Sequence, residues 1–77
     1  MNYINLRVPV YDIKDGSTTD EPITINANYI SEILPREYAG RKRGEADGWN
    51  TMIIMTNGNE YRIVEDPKRV IELIAAQ

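Results

Sequence analysis

The residue types that carry most enzyme chemistry are scarce in this chain. Its 77 residues include neither histidine nor cysteine, so the commonest general base, the commonest metal ligand and the thiolate nucleophile are all missing. Ser17 and Ser31 are present, but there is no histidine to activate either hydroxyl for nucleophilic attack. We therefore expect no disulfide, no zinc site and no serine or cysteine hydrolase.

Carboxylates are plentiful and are the other candidates for catalysis. The 12 acidic residues could supply the pair of carboxyl groups that glycoside hydrolysis requires. The adjacent pairs Asp20-Glu21 and Glu65-Asp66 each precede a proline, where turn and helix-capping chemistry account for them. Gly40-x-x-x-Gly44 lacks the spacing of a phosphate-binding G-x-G-x-x-G loop. The sequence predicts a protein that is not an enzyme, with no catalytic residue, cofactor or metal.

The candidate binding residues lie in a stretch from 36 to 50 that has three glycines and no apolar periodicity. A loop of this length in a compact domain is usually functional or disordered. Its basic and aromatic side chains are of the types with which single-stranded nucleic-acid binders hold phosphates and stack bases. The candidates for binding a partner are Arg36, Tyr38, Arg41, Lys42, Arg43 and Trp49.

Acidic residues in the same stretch weaken the nucleic-acid interpretation. Glu37, Glu45 and Asp47 reduce the net charge of the loop to +1, and the whole chain carries −3, whereas phosphate binding relies on basic surfaces. A solvated, flexible hairpin is therefore the favoured interpretation of 36–50. We expect Trp49 to pack over the sheet edge, with a partner surface as the alternative.

The elements that must position these residues begin with two strands. Every second residue from Ile4 to Val10 is apolar, which is the period of a half-buried strand, predicted over 3–11. Pro9 requires a sheet edge or a bulge. A polar turn over 15–22 precedes a second strand that starts at Ile23. The asparagines in 26–29 predict a short turn or single helical turn, after which a strand resumes and ends at Pro35.

The firmest local prediction is a β-hairpin over 51–65, because Asn57-Gly58 between two β-rich runs is the strongest short-range hairpin signal. A two-residue turn would pair Ile54 with Tyr61. A three-residue loop with Gly58 at a bulge pairs Ile53 with Tyr61 instead, and this one-residue slip exchanges the two faces. We favour the bulged form, which places on one side Ile53, Met55, Tyr61 and Ile63.

A helix is predicted over 66–76. Asp66 can cap it, and Pro67 suits the first position because its missing N–H costs nothing there. Its core-facing stripe is predicted to consist of Val70, Ile71, Leu73 and Ile74, which recur at helical spacing. If this helix does not cover the outward face of the hairpin, that face would be an oligomer interface, formed by Met52, Ile54 and Val64.

Together these elements predict one α+β domain over 1–77, a small, mainly antiparallel, bent or rolled sheet of four or five strands with one C-terminal helix. A chain of this length buries only about 60% of its unfolded surface, and small domains without disulfides or metals often associate. We therefore expect a homo-oligomer. No apolar run approaches the roughly 20 residues of a membrane span, and the N-terminus lacks a secretory signal, so we expect a cytoplasmic protein without a membrane partner.

The order and spacing of the apolar positions resemble a known family. The residues concerned are Ile23-x-Ile25-Asn26, Ile30-x-x-Ile33, Ile53-x-Met55-Thr56-Asn57-Gly58-x-x-Tyr61-x-Ile63-x-Glu65 and Val70-Ile71-x-x-Ile74. Over residues 20–75 this pattern is similar to that of the FlbD-like family of small flagellar and swarming-motility proteins. Because members are small and non-enzymatic, the resemblance implies a regulatory or accessory binding role.

Two functional hypotheses follow. The first is a small non-enzymatic interaction or regulatory module that self-associates and binds a protein partner, of unknown identity, through the long loop and the exposed hairpin face. The second is a single-stranded nucleic-acid-binding protein that uses the basic and aromatic loop 36–49. Binding to DNA or RNA that weakens steeply as salt rises would distinguish the second from the first.

Overall fold

The computed structural model describes residues 2–39 and 47–77, and it shows five strands in two antiparallel sheets with one C-terminal helix. This confirms the predicted α+β class. One sheet pairs β1 (Tyr3–Tyr11) with β2 (Thr18–Asn26), and the other has the order β3-β4-β5. The remaining elements are β3 (Ile30–Pro35), β4 (Thr51–Met55), β5 (Glu60–Ile63), α1 (Pro67–Ala75) and two 3-10 turns, Ala27–Tyr29 and Arg36–Tyr38.

Strands β1 and β2 form a long hairpin in continuous register, from Tyr3 opposite Asn26 to Tyr11 opposite Thr18. The bounds predicted for the first strand are confirmed. The predicted start of the second strand at Ile23 is wrong, because β2 begins already at Thr18. Side chains confine the turn to 12–17, where Asp12 and Asp15 accept the backbone N–H groups of residues 14 and 17, so the polar residues after it are free to pair with β1.

The chain leaves this hairpin through the turn expected at 26–29. The Asn26 side-chain oxygen accepts the N–H of Asn28 at 3.0 Å, the local bonding that asparagine offers at turns. Strand β3 follows and ends at Pro35, as predicted. Its pairing with β4 shifts register between Ile30 and Glu32.

The hairpin of β4 and β5 has the bulged register. Ile53 lies opposite Tyr61, and the backbone of Gly58 adopts a φ of 89°, a conformation that glycine reaches without steric cost. The Met55 carbonyl accepts the Gly58 N–H at 2.9 Å, and the Met55 N–H donates to the Asn59 carbonyl at 2.8 Å. This register puts Ile53 in the core, where it is fully buried.

The main core lies between the two sheets and α1. Its buried members are Ile4, Leu6, Ile25, Ile53, Ile63 and Val70. The helix begins as predicted, with the Asp66 carboxylate accepting the N–H of Arg69 at 2.8 Å. Leu73 and Ile74 pack against the core, but Ile71 departs from the prediction and is 55% exposed, because it projects about 100° round the helix from Val70. In the described part of the chain, no helix has the length and apolar character needed to cross a membrane.

The two sheets meet where the chain leaves β5 and passes β1. The Val64 N–H donates to the Arg7 carbonyl at 2.8 Å, and the Arg7 N–H donates to the Glu65 carboxylate at 2.9 Å. The hydroxyl of Thr51, a fully buried residue, donates to the Glu65 carbonyl at 2.6 Å. These bonds join the two sheets at the point where the chain passes from β5 to α1.

Candidate interaction surface

Arg36, the first of the predicted binding residues, is engaged within the molecule. Its guanidinium donates to the Trp49 carbonyl at 3.0 Å and to the Asp47 carboxylate at 3.3 Å. The guanidinium carbon also lies 4.8 Å from the centroid of the Trp49 ring, within the range of a cation–π contact. Only 26% of the Arg36 side chain is exposed. Arg36 therefore ties the start of the 36–50 stretch to its end.

Trp49 lies at the centre of a second, smaller core and is 0% exposed. The side chains packed with it are Ala39, Met52, Leu34 and Ile54. The guanidinium carbon of Arg62 lies 5.3 Å from the ring centroid. Because no part of the ring reaches solvent, Trp49 has no surface on which a base or a partner side chain can stack in this conformation.

This second core covers the surface that the sequence suggested for self-association. Met52 is only 5% exposed and Ile54 is half-buried, because Trp49 and Ala39 pack against that side of the hairpin. Val64, the third residue of the expected face, lies instead at the junction with β1. An interaction surface must therefore be sought elsewhere on the molecule.

Tyr38 is the most exposed of the candidate binding residues that the structure describes, with 76% exposure. Arg41, Lys42 and Arg43 lie outside the described residues. The structure thus brings Arg36 and Trp49 together as an internal pair and leaves Tyr38 on the surface. Within 2–39 and 47–77, no group of three or more acidic side chains is placed to hold a metal ion.

An open concavity of about 750 Å³ lies beside Arg36. Its lining consists of Pro35, Arg36, Glu37, Ala39, Asn50, Asp66 and Pro67. Several of the polar side chains already have structural roles, since the Asn50 amide donates to the Val64 carbonyl at 2.7 Å and Asp66 caps α1. The concavity lacks the largely apolar lining that is typical of a small-molecule site.

A group of exposed apolar side chains lies at the distal end of the β1–β2 hairpin, residues 8–21, which we call the arm. Val10 is 43% exposed, Tyr11 52% and Ile13 87%. The molecule measures 38 × 22 × 22 Å with a radius of gyration of 12.5 Å, against about 11.5 Å for a compact chain of this length. Strands of nine residues such as β1 and β2 span about 30 Å, which is close to this longest dimension.

One face of the arm continues the face of β1 that lines the core. Leu6 is buried, Val8 is half-buried and Val10 is exposed, and residues two apart in a strand share a face. An apolar row therefore runs out of the core along the arm. Across the ladder, Val8 lies opposite Glu21 and Val10 opposite Thr19, so a carboxylate borders this row.

Each strand of the hairpin has a proline at an outward-facing position, Pro9 on the arm and Pro22 at its root. Arg7 directs its N–H and carbonyl towards 64–65, so Arg7 and its partner Pro22 form a pair that is not hydrogen-bonded in the antiparallel ladder. The next such pair is Pro9 with Asp20. In such pairs the backbone N–H groups point away from the partner strand. Because proline has no N–H, neither Pro9 nor Pro22 presents a donor at its outer edge. This geometry hinders the addition of a further strand at either edge.

The arm also carries the net charge of the molecule. It contains four acidic residues and one basic residue, a balance of −3, and the whole chain is −3. The rest of the chain is consequently balanced, with eight acidic and eight basic residues. At the tip, the hydroxyl and the N–H of Ser17 both bond to Asp15 and lower the pKa of its carboxyl group, which keeps that charge in place.

A small ionic network fixes the arm at its root. The guanidinium of Arg7 lies 2.9 Å from the Glu65 carboxylate and 3.4 Å from that of Asp20. Burial acts to raise the pKa of Glu65, but the hydrogen bonds from Arg7 outweigh it, so this pKa is lowered. The hydrogen bond to Glu65 and its charge raise the pKa of Arg7. The pair stays ionised at the point where β1 leaves the body of the molecule.

Comparison with known proteins offers no guide to the role of this surface. No family model, curated protein or solved structure matches the chain. The resemblance to the FlbD-like family therefore stays a prediction, and the function has to be inferred from the geometry and charge of the arm.

Proposed function

We propose that this chain is a small non-enzymatic interaction module that self-associates and binds a protein partner, with the arm as its contact surface. The exposure of Val10, Tyr11 and Ile13 on one projecting hairpin is the observation that supports this most directly. Val10 and Tyr11 project from opposite faces of β1, so the arm exposes apolar side chains on both faces, and exposed apolar surface bordered by polar residues is typical of interaction sites. The acidic character of the arm suits a partner surface with basic groups around an apolar groove.

A regulatory or accessory role is the form of this function that the FlbD-like resemblance suggests. The shared pattern, over 20–75, includes most of β2, the β4–β5 hairpin and α1. It leaves out β1, which supplies the apolar row of the arm. We propose the kinship for the fold and the general role only, because the apolar row of the arm lies outside the shared pattern.

Single-stranded nucleic-acid binding through 36–49 is the alternative function. The exposure of Tyr38 favours it, whereas the burial of Trp49 and the internal bonds of Arg36 do not. Its remaining residues, 41–43, lie outside the described part of the chain. This alternative predicts a mobility shift with single-stranded DNA or RNA that weakens steeply with salt. The lack of any shift at low salt would remove it.

Differential capture from the native host tests the favoured function. The full chain, an Ile13→Asp variant and a Tyr29→Ser control are immobilised, and the proteins retained by each are identified by mass spectrometry. Ile13 and Tyr29 are both largely exposed, so neither substitution should disturb the core. We expect a partner that the wild type and the control retain and that Ile13→Asp loses. Retention of the same proteins by all three would show that the arm is not the contact surface.

A further inference from the structure

We infer that two copies of this chain exchange arms reciprocally, so that the apolar row of each arm lies along the outer face of α1 in the other copy. In this arrangement Val10 packs on Ile71, and Glu21 lies beside Lys68 of the second copy. The inference rests on the proposed function and specifies the occupant of the arm surface. It also specifies which way the arm runs along the helix.

The outer face of α1 has a stripe that matches the arm. Lys68, Ile71 and Ala75 are exposed and follow one another at helical spacing. Lys68 and Ile71 are about 4.5 Å apart along the helix axis, and Val8 and Val10 are about 6.6 Å apart along the strand. Long side chains bridge that difference, so Glu21, the cross-strand partner of Val8, can reach Lys68 while Val10 covers Ile71.

Charge selects the direction of the arm. The carboxylates of Asp12 and Asp15 accept hydrogen bonds within the turn, and the carboxylate of Asp20 pairs with Arg7. Within the described residues, the Glu21 side chain makes no hydrogen bond or ion pair, and it borders the apolar row through its cross-strand partner Val8. The first turn of α1 contains Lys68 and Arg69 but no acidic residue. The Asp66 carboxylate caps the helix, and Arg69 lies 3.6 Å from Glu72. Lys68, beside Ile71, is therefore the cation of this turn with which a carboxylate from a second copy would pair.

The contact is favoured through the face of the arm. Pro9 and Pro22 each remove one outward-facing N–H that a further strand would use. Arms that lie side by side would also bring two charges of −3 together, since the net charge is concentrated there. The body of a second copy has no net charge to repel the arm and offers the exposed side chain of Ile71.

Area favours a reciprocal exchange over a one-sided contact. The chain exposes 5299 Å² over 77 residues, about 70 Å² per residue, so the three stripe residues of α1 offer about 200 Å². A one-sided contact buries about twice that area, well below the roughly 1,200–2,000 Å² of specific stable interfaces. A two-fold exchange makes the same contact twice, and the dimer it forms is weak and reversible.

The first experiment measures mass against concentration by sedimentation equilibrium, from low micromolar to near-millimolar protein. We expect a reversible monomer–dimer equilibrium for the wild type. Because Val10 is 43% exposed, Val10→Asp should leave the fold intact, and circular dichroism checks this. It should weaken association about a hundredfold, as loss of a central interface contact does. A wild-type protein that is monomeric at every concentration overturns the inference.

The second experiment is a charge exchange between the arm and the helix. Glu21→Lys and Lys68→Glu should each weaken the homodimer about tenfold, because each places like charges in both contacts. In an equimolar mixture of the two variants, the mixed dimer has one native contact and one reversed contact, and both are attractive. Association should therefore return to about the wild-type level. Glu32→Lys, the same charge change on β3, serves as the control and should leave association unchanged.

The outcomes separate this inference from the proposed function. If Val10→Asp weakens the dimer but mixing the two charge variants does not restore association, α1 is overturned as the receiving surface. The arm then remains a contact. A dimer that is indifferent to all of these variants would overturn the exchange of arms. In either case a partner captured by the wild type and lost from Ile13→Asp would still support the arm as a docking surface.

Discussion

Replacing Glu65 tests whether its carboxylate holds the two sheets together. The carboxylate accepts the Arg7 backbone N–H and the Arg7 Nε–H, each at 2.9 Å, and 13% of the Glu65 side chain is exposed. A neutral hydrogen bond contributes about 1 kcal/mol and a charged one about 1.5–3 kcal/mol. Because 54% of the Arg7 side chain is exposed, screening by solvent places the contribution of the guanidinium hydrogen bond near the lower end of that range.

From these contacts we expect Glu65→Ala to lower the free energy of unfolding by about 2 kcal/mol, and Glu65→Gln to lower it by about 1 kcal/mol. Glutamine keeps an acceptor for the Arg7 N–H but loses the charge that strengthens the bond to the guanidinium. The arm should also move more freely in Glu65→Ala, because its root loses this anchor. Hydrogen exchange at the amides of Val8 and Val10, which face β2 in the ladder, would detect this loosening.

The pH dependence of this contribution has a defined sign. Although burial raises the pKa of Glu65, the hydrogen bonds from Arg7 lower it by more, so the net shift is downward. As the pH falls, the Glu65 carboxylate therefore binds a proton in the unfolded chain before it does so in the folded chain. The stabilisation by this carboxylate is complete only above the ordinary glutamate pKa of about 4.3. It is lost as the pH falls through the lower pKa of the folded state. The stability difference between wild type and Glu65→Gln should consequently shrink in acid.

Urea unfolding followed by Trp49 fluorescence, at neutral pH and at a series of acidic values, provides the measurement. Glu32→Gln is the matched control, because Glu32 is an exposed carboxylate on β3 and should give nearly wild-type stability. Equal stability of Glu65→Gln and wild type at neutral pH would refute the role assigned to the junction. A difference that stays constant into acid would refute the assigned direction of the pKa shift.

Three further substitutions test other parts of the structure. Trp49→Ala should lower the free energy of unfolding by about 3–5 kcal/mol, measured by urea unfolding with circular dichroism, and a loss below 1 kcal/mol would contradict the burial of the ring. Gly58→Ala forces alanine into a backbone with φ 89° and should cost about 1–2 kcal/mol, whereas no loss would dispute the bulged turn. Pro22→Thr restores an outward N–H on β2 and should raise aggregation in light scattering, while unchanged scattering would contradict the edge role of this proline.

The elements with strong local signals could be predicted from the sequence. The β4–β5 hairpin followed from Asn57-Gly58, and its bulged register followed from the apolar residues that this register places on one side. The start of α1 followed from Asp66-Pro67 for the same kind of reason, since capping involves only neighbouring residues. In each case the interactions that specify the structure lie within a few positions of one another.

The elements that depend on distant contacts could not be predicted in the same way. The polar residues 18–21 read as a turn, and they extend as strand because β1 supplies a partner along their whole length. The second core forms because Trp49 returns across the outer side of β4. Nothing in the local pattern of Met52 and Ile54 shows which later or earlier segment covers them.

The arm could have been predicted from a mismatch of lengths. Strand β1 and helix α1 both have 9 residues, but nine residues span about 30 Å in a strand and only about 13 Å in a helix. The strands β4 and β5, which also pack against this face, have only 5 and 4 residues, so these elements are too short to cover such a strand from end to end. The row that runs through Val8 to Val10 must therefore leave the core before the strand ends.

An apolar β-hairpin that projects into solvent is ordinarily a hazard, because free strand edges pair with one another and grow. In this molecule Pro9 and Pro22 remove outward donors from the two edges, and a concentrated negative charge makes arms repel one another. Both features oppose edge-to-edge growth, but neither opposes contact between the apolar face and a surface that is neutral or basic. The arm is thus protected against indiscriminate pairing while its face stays available, and the exposed stripe of α1 with Lys68 and Ile71 is a surface of that kind within the same chain.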